Sequence, residues 1–241
     1  MAGVQTMTTK GTLFGLGIGP GDPELLTLRA WRLISNCDVI AYPVGDSRDS
    51  LARKICAPFI PEDTTELPIE VPMRTDREPA QSAYDAAALK IAGHLNEGRH
   101  VAFLCEGDPF LYGSFMYLFS RMAETYKTVI VPGVSSLTAS AARIARPLAA
   151  RNDILKVLPA PLPAGRLKAE IDSAEAVAII KVGRHFDKVR GVLRDLGLDD
   201  SATIIESATR DDEKITALND IPEGERPYFS TILVYKGDEP W

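Results

Sequence analysis

The chain has 241 residues, room for one large domain or two compact ones. Apolar residues make up 45% and charged residues 25%, an ordinary globular mix that excludes a disordered chain. Lys+Arg is 27 against Asp+Glu 33, a net charge of −6, which argues against a general nucleic-acid binder because such proteins are normally basic.

Short apolar runs alternate with helix-like segments. Residues 13–18 are an apolar run closed by Gly and Pro, as expected of a buried strand. Asp22 as cap and Pro23 as first helical residue predict a helix with an apolar stripe of Leu25, Leu26, Leu28, Trp31, Leu33 and Ile34. Residues 38–42 form a second strand stopped by Pro43, Ser50 opens a helix to about residue 60, and residues 66–71 form a third strand stopped by Pro72. An Ala-rich helix is expected from about residue 79 to 96, with Gly98 as its stop. The run 101–105 is a strand, 112–125 a helix, and 128–131 a strand stopped by Pro132-Gly133.

In the second half, Ser135 or Ser136 caps an Ala-rich helix to about residue 145, and 154–158 is a strand. The prolines at 159, 161 and 163 predict a stiff loop. Strands follow at 176–182, 203–206 and 230–235, with 215–218 a further candidate, and a helix spans about 187–195. About five strands precede Pro132 and four or five follow it. Two α/β domains are therefore expected, 11–132 and 133–241.

Cys37, Cys56 and Cys105 form no CxxC pair, and His94, His100 and His185 have no HExxH spacing, so neither a disulfide framework nor a metal site is expected. No apolar run reaches the ~18 residues of a membrane span, and the run 13–18 is too brief for a signal-peptide core. A cytoplasmic protein is expected, with its first ten residues frayed.

Ligands in open α/β sheets sit outside the carboxyl ends of the strands, and three strand ends here are rich in Gly and Pro. The first is Gly15-Leu16-Gly17-Ile18-Gly19-Pro20-Gly21-Asp22-Pro23. It fails the GxGxxG dinucleotide fingerprint in every register, because the sixth position is Pro20, Asp22 or Glu24. A helix-capping carboxylate would also repel a pyrophosphate. An NAD(P) oxidoreductase is disfavoured, while a backbone that a ligand can approach closely is favoured. The second is Glu106-Gly107-Asp108-Pro109-Phe110-Leu111-Tyr112-Gly113, and the third is Val131-Pro132-Gly133-Val134-Ser135-Ser136. Read singly, the second and third are ordinary turns with helix caps.

Together and in this order, the loops resemble those of the tetrapyrrole methylases, the class III S-adenosylmethionine (SAM) methyltransferases. The matching motifs are GxGPGDPxLLT at residues 17–27, GDPxxYG at 107–113 and PGxSS at 132–136, and the likeness runs from residue 11 to the C-terminus. Within the family the chain is most similar to the precorrin-2 C20-methyltransferases of cobalamin synthesis, through residues 105–109, 112–116, 157–159, 181–184 and 227–230. Cys105 stands where serine or glycine is usual, and the loop after Pro159 carries extra prolines.

The resemblance implies a tetrapyrrole methylase fold of two α/β domains, SAM in the cleft between them, a homodimer, and a polycarboxylate tetrapyrrole substrate such as precorrin-2. It places SAM against Pro20, the backbone of Glu106, Gly107 and Asp108, Leu111, Ser135 and Ser136, and the main chain of Lys181 and Ala208. Asp108 is further expected to favour the sulfonium electrostatically. Glu106 and Tyr112 are the nearest candidates for proton handling, although an enamine-like carbon needs little activation. An acidic protein must offer local cations to a polycarboxylate, and Arg has the forked donors for it. Arg74 and Arg77, which leave a strand end, are the favoured substrate contacts over Arg48, Arg53, Arg146, Arg151, Arg184 and Arg210. The alternatives are another corrin methylase or one acting on the cobalt-loaded substrate, and, in a different class, a SAM-binding module without catalysis.

Overall fold

The computed structural model describes residues 9–45, 49–71 and 77–237. The chain divides into two compact units, Met1–Ser135 and Ser136–Trp241.

The first unit carries a five-stranded parallel sheet in the order β3-β2-β4-β1-β5. Its strands are β1 (Leu13–Gly17), β2 (Val39–Val44), β3 (Thr65–Glu70), β4 (Val101–Cys105) and β5 (Thr128–Val131). Its helices are α1 (Leu28–Ile34), α2 (Leu51–Cys56), α3 (Arg77–Asn96) and α4 (Phe115–Met122). Successive residues of β4 serve opposite faces, as the two-residue period of a strand requires. Ala102 and Leu104 pack with Ala30, Ile34 and Ala52 of α1 and α2. Phe103 and Cys105 pack with Ile91, Phe115 and Leu118 of α3 and α4. The sheet is covered on both sides, so its strands read as unbroken apolar runs.

The connections from β1 and β2 step one way across the sheet, and those from β3 and β4 step back. The reversal falls between the neighbours β1 and β4. This is the topological switch point, where the carboxyl ends of such a sheet leave a crevice.

The second unit holds α5 (Ser136–Arg143), β6 (Leu155–Pro159), α6 (Ala164–Asp172), β7 (Ala176–Ile180), α7 (Phe186–Asp195), β8 (Ala202–Glu206), β9 (Lys214–Ala217) and β10 (Ser230–Tyr235). Its sheet is mixed, in the order β6-β7-β10-β8-β9, with β10 antiparallel to both its neighbours. The helices α6 and α7 cover one face through Leu167, Ile171, Phe186, Val189 and Leu193. The opposite face takes Leu137 and Ala141 of α5.

Four expectations change. The Asp22 carboxylate accepts from the Glu24 amide but opens only a single 3-10 turn, and α1 starts afresh when the Thr27 hydroxyl accepts from the Ala30 amide. That restart rotates the inward face onto Ala30 and Ile34, leaving Leu28 77% and Trp31 44% exposed. Strand β2 runs through Pro43, because pairing with β4 has ended at Ala41 and no ladder needs a Pro43 amide on that side. The helix after β4 begins at Phe115 rather than Tyr112, since Tyr112 has the left-handed φ of 56°. Helix α6 was not expected from the Pro-rich stretch, yet Pro163 serves as its N-cap and Leu167 and Ile171 supply an i,i+4 buried pair. Of the ten residues expected to be frayed, 1–8 lie outside the described residues, as does Arg48.

Candidate functional site

All five strands of the first sheet point the same way, so the loops after β1, β4 and β5 share its carboxyl edge. The loops after β1 and β4 flank the switch point, and one isolated bridge joins them there. The Gly107 amide donates to Gly19 O at 2.8 Å and the Gly19 amide donates to Gly107 O at 3.3 Å. Gly19 and Gly107 make this pair with φ of 80° and 65°, a region that residues with a Cβ rarely enter.

The third loop interlocks with the first two. A Cβ on Gly17 would stand 2.4 Å from Gly133 N, and one on Gly133 would stand 2.2 Å from Gly107 O. Neither has room for a side chain, so backbone alone lines the place where the three turns meet. A side chain does the bracing. Asp108 Oδ1 accepts from the amides of Phe110 (2.9 Å) and Leu111 (3.1 Å), and Oδ2 accepts from the Gly133 amide at 3.1 Å. One carboxylate thus shapes the turn after β4 and ties it to the turn after β5.

Both Asp108 oxygens are engaged by backbone amides, so the carboxylate braces the two loops. The Gly107 amide is likewise occupied by Gly19.

Glu106 is half-buried, and its carboxyl accepts from the Ala52 amide in the first turn of α2. Burial pushes that carboxyl above the ordinary carboxylate range, against the pull of the Ala52 amide and its own. Its proton is therefore held more firmly than usual, but the group lies against a helix start. Tyr112 is 42% exposed and stands in the left-handed region in the same loop. Pro20, Ser135 and Ser136 are half-buried at this edge, and Leu111 is 42% exposed.

Sequence reading missed Tyr84. It is buried in the middle of α3, hydrogen-bonds Ser114 at the foot of α4, and lies 5.1 Å from the Tyr117 ring. Burial above all pushes its hydroxyl up to about 12, so it is a neutral tie to the end of the β4 loop. No motif marks a tyrosine in an Ala-rich helix, and its partner is 30 positions away.

In the second unit, β6, β7 and β8 point the same way, and their carboxyl ends share an edge with the start of β10. Lys181 is exposed just past β7, and Ala208 is buried just past β8. Lys181, Ser207 and Thr209 all have left-handed φ, of 58°, 52° and 66°. Such backbone is uncommon without glycine and collects at functional loops. The Ser207 hydroxyl contacts Asp212 Oδ2 at 3.1 Å, and the Thr209 amide donates to Glu213 Oε2 at 2.6 Å. Sequence offered no sign of the strain at Ser207 and Thr209, because neither residue type marks a left-handed position.

The arginines separate. Arg53 is committed to Glu66 through a bidentate pair, Nε at 3.0 Å and Nη2 at 2.8 Å. Arg210 pairs with Asp212 at 3.0 Å. Arg146 stacks over Tyr235 at 4.8 Å and donates to Tyr235 O. Arg74 and the side chain of Arg77 lie outside the described residues. Among the described residues no three His, Cys, Asp or Glu side chains group as a metal site, and no helix is long and apolar enough to cross a membrane.

Known proteins resemble this chain over most of its length. A family model described as Tetrapyrrole (Corrin/Porphyrin) Methylases matches residues 12–221. The cobalamin biosynthesis protein CobIJ of Mycobacterium tuberculosis is 38% identical over 239 residues, 96% of this chain and 47% of that protein. The chain thus spans about half the length of this relative. The precorrin-2 C(20)-methyltransferase of a Sinorhizobium species is 36% identical over 93% of this chain and 95% of its own length. The cobalt-precorrin-2 C(20)-methyltransferase of Salmonella typhimurium is 31% identical over 94% of this chain and 97% of its own length. In fold, the uroporphyrin-III C-methyl transferase of Thermus thermophilus, solved with S-adenyl homocysteine, superposes with a TM-score of 0.67 at 22% identity, covering 93% of this chain and 97% of that one.

Proposed function

The chain belongs to the tetrapyrrole (corrin/porphyrin) methylases, and on that footing we propose that it transfers the methyl group of SAM to C20 of precorrin-2 in cobalamin synthesis. The 36% identity to a precorrin-2 C(20)-methyltransferase along nearly the whole of both chains carries this reading.

The first unit's carboxyl edge fits the donor. The close approach of Gly17, Gly107 and Gly133, which leaves no room for a Cβ, puts only backbone where the three turns meet. Carbonyl and amide groups at such a place can follow the outline of a small zwitterion without offering a competing nucleophile. Bound SAM supplies an electrophilic methyl group on a sulfonium.

The work left to the protein is alignment. Holding a nucleophilic carbon in line with the methyl group contributes several kcal/mol, on the order of 7–11 in well-oriented cases. Asp108 serves that end by fixing two turns through three hydrogen bonds. Tyr84 and Ser114 hold the far end of the β4 loop. A methine carbon conjugated to a ring nitrogen is already electron-rich, so no strong base is required. Glu106 and Tyr112 stand nearest in sequence to the loop for any proton that must move.

A second reading has its own support. The cobalt-loaded form of the same macrocycle is the substrate named for the Salmonella typhimurium relative at 31% identity. Anaerobic incubation with methyl-labelled SAM and either precorrin-2 or its cobalt complex, followed by NMR of the product, separates the two. One labelled methyl group at C20 is expected. A label at another carbon sinks the position assigned, and no transfer to either macrocycle sinks the enzyme reading.

A further inference from the structure

Helix α7 carries a buried cation that the site described so far does not use. Arg190 is only 7% exposed, and its Nε is buried with no hydrogen-bond partner among the described residues. Burying a guanidinium costs several kcal/mol unless hydrogen bonds or an opposite charge compensate it. Beside it lies the Phe186 ring, which a second cation, Arg226, also approaches. The Arg190 Cζ lies 5.9 Å from the Phe186 ring centroid, and the Arg226 Cζ lies 5.3 Å from the same ring. The nearest acid in the sequence, Asp187, already accepts from the Gly224 amide at 3.0 Å. Arg226 is held in turn by its own amide, which donates to Gly183 O, and by its Nε, which donates to Gly224 O at 3.3 Å.

The ring's quadrupole attracts each guanidinium but offsets only part of the hydration and hydrogen bonding that buried Arg190 has given up. An arrangement of this kind is relieved by an anion from outside. Its position suits a ligand. The 3-10 turn Gly183–His185 leads from β7 into α7, and Arg226 shortly precedes the strand β10, so both lie at the carboxyl edge where Lys181 and Ser207 stand.

We propose that Arg190 and Arg226, packed about Phe186, form a carboxylate-binding site in the second unit. The fork of a guanidinium matches a carboxylate with two parallel hydrogen bonds, and half-buried Arg226 presents such a fork beside the ring. The carboxylate has two sources to distinguish. One is a side-chain carboxylate of the macrocycle, an assignment that rests on the function proposed above. The other is a free small carboxylate acting on its own.

The test uses the full chain with Arg226→Gln, Arg190→Gln and Arg190→Lys, each checked for an unchanged unfolding temperature. Arg226 is half-exposed, so its variant keeps the test open if the Arg190 variants fail to fold. Three quantities are measured: the KM and kcat for precorrin-2, the Kd for S-adenosylhomocysteine, and calorimetric binding of citrate as the free carboxylate. With a macrocycle arm in the site, each Gln variant raises KM about ten-fold, the loss of one charged hydrogen-bonding partner, while the S-adenosylhomocysteine Kd stays within about two-fold; Arg190→Lys falls between, because it keeps the charge and loses the fork. With a free carboxylate as ligand, citrate binds the parent chain and is lost in the Gln variants while KM stays put. Folded variants that leave both KM and citrate binding unchanged overturn the proposal, as does a parent chain for which citrate does not bind and KM does not respond. If the parent chain fails to methylate precorrin-2, the functional reading falls, and the citrate titration still decides the site.

Discussion

Gly133 occupies a position where one methyl group is too many. Its missing Cβ would lie 2.2 Å from Gly107 O and 2.7 Å from Gly17 Cα, both backbone atoms that no rotamer change can move aside. Gly133→Ala is expected to lower stability by about 1–3 kcal/mol, the range for overpacking a tight site, and to weaken S-adenosylhomocysteine binding. Gly191 is the control. It lies inside α7 with no left-handed φ, and nothing stands within 4 Å of the place its Cβ would take. Gly191→Ala should raise stability by about 0.5–1 kcal/mol through helix propensity. Denaturant unfolding of both variants checks this, and a Gly133→Ala protein as stable as its parent would refute the interlocked turns. The sequence announces these glycines by their alternation and by the Pro132-Gly133 dipeptide. It does not announce what Asp108 does, because a GDP tripeptide reads the same whether its carboxylate points at a ligand or at three amides.

Among the elements, β2, β3 and α2 are tied by one polar cluster. The Tyr42 hydroxyl donates to Glu66 Oε2 at 2.7 Å, and Arg53 from α2 donates to both oxygens of the same carboxylate. The Arg53 hydrogen bonds, more than the one from Tyr42, hold the Glu66 carboxyl below the usual glutamate range. Burial first, and then Glu66, push the Tyr42 hydroxyl up to about 12. A depressed carboxyl contributes stability above its unfolded value, near 4.3 for glutamate, and that contribution is lost as pH falls through the folded value. Glu66→Gln should therefore be less stable than the parent at pH 7, by about 1 kcal/mol for hydrogen bonds weakened at a half-exposed site. The gap should close as both are titrated below pH 4. Thermal unfolding at a series of pH values reads it, and a gap independent of pH would mean that the ionised carboxylate contributes nothing. Strands were easier to read than helix registers. The run 101–105 has only one plausible fate, since five apolar residues before Glu106-Gly107 suit a strand buried on both faces. The register of α1 depended on whether Asp22 or Thr27 caps it, and both residue types cap well. In α6 the prolines before Ala164 hid a helix that only a two-residue apolar pair betrays.

On the scale of the whole molecule, the parallel sheet with its switch point between β1 and β4 places two glycine-rich turns side by side, and β5 brings a third against them. The order of the three motifs along the chain was legible in the sequence, because each follows a strand and interrupts it with Gly and Pro. Their mutual contacts were not, since strand order within a sheet leaves no local trace. The second unit repeats the logic with a mixed sheet and with left-handed residues at its carboxyl edge in place of glycines. The central claim is that the turns braced by Asp108 hold the methyl donor, and calorimetric titration with S-adenosylhomocysteine of the parent chain and of Asp108→Ala tests it most directly. Saturable one-site binding to the parent is expected, weakened at least about ten-fold in a variant that still folds, in keeping with the loss of three charge-assisted hydrogen bonds. Equal affinity in the two proteins, or no binding to the parent, would contradict it.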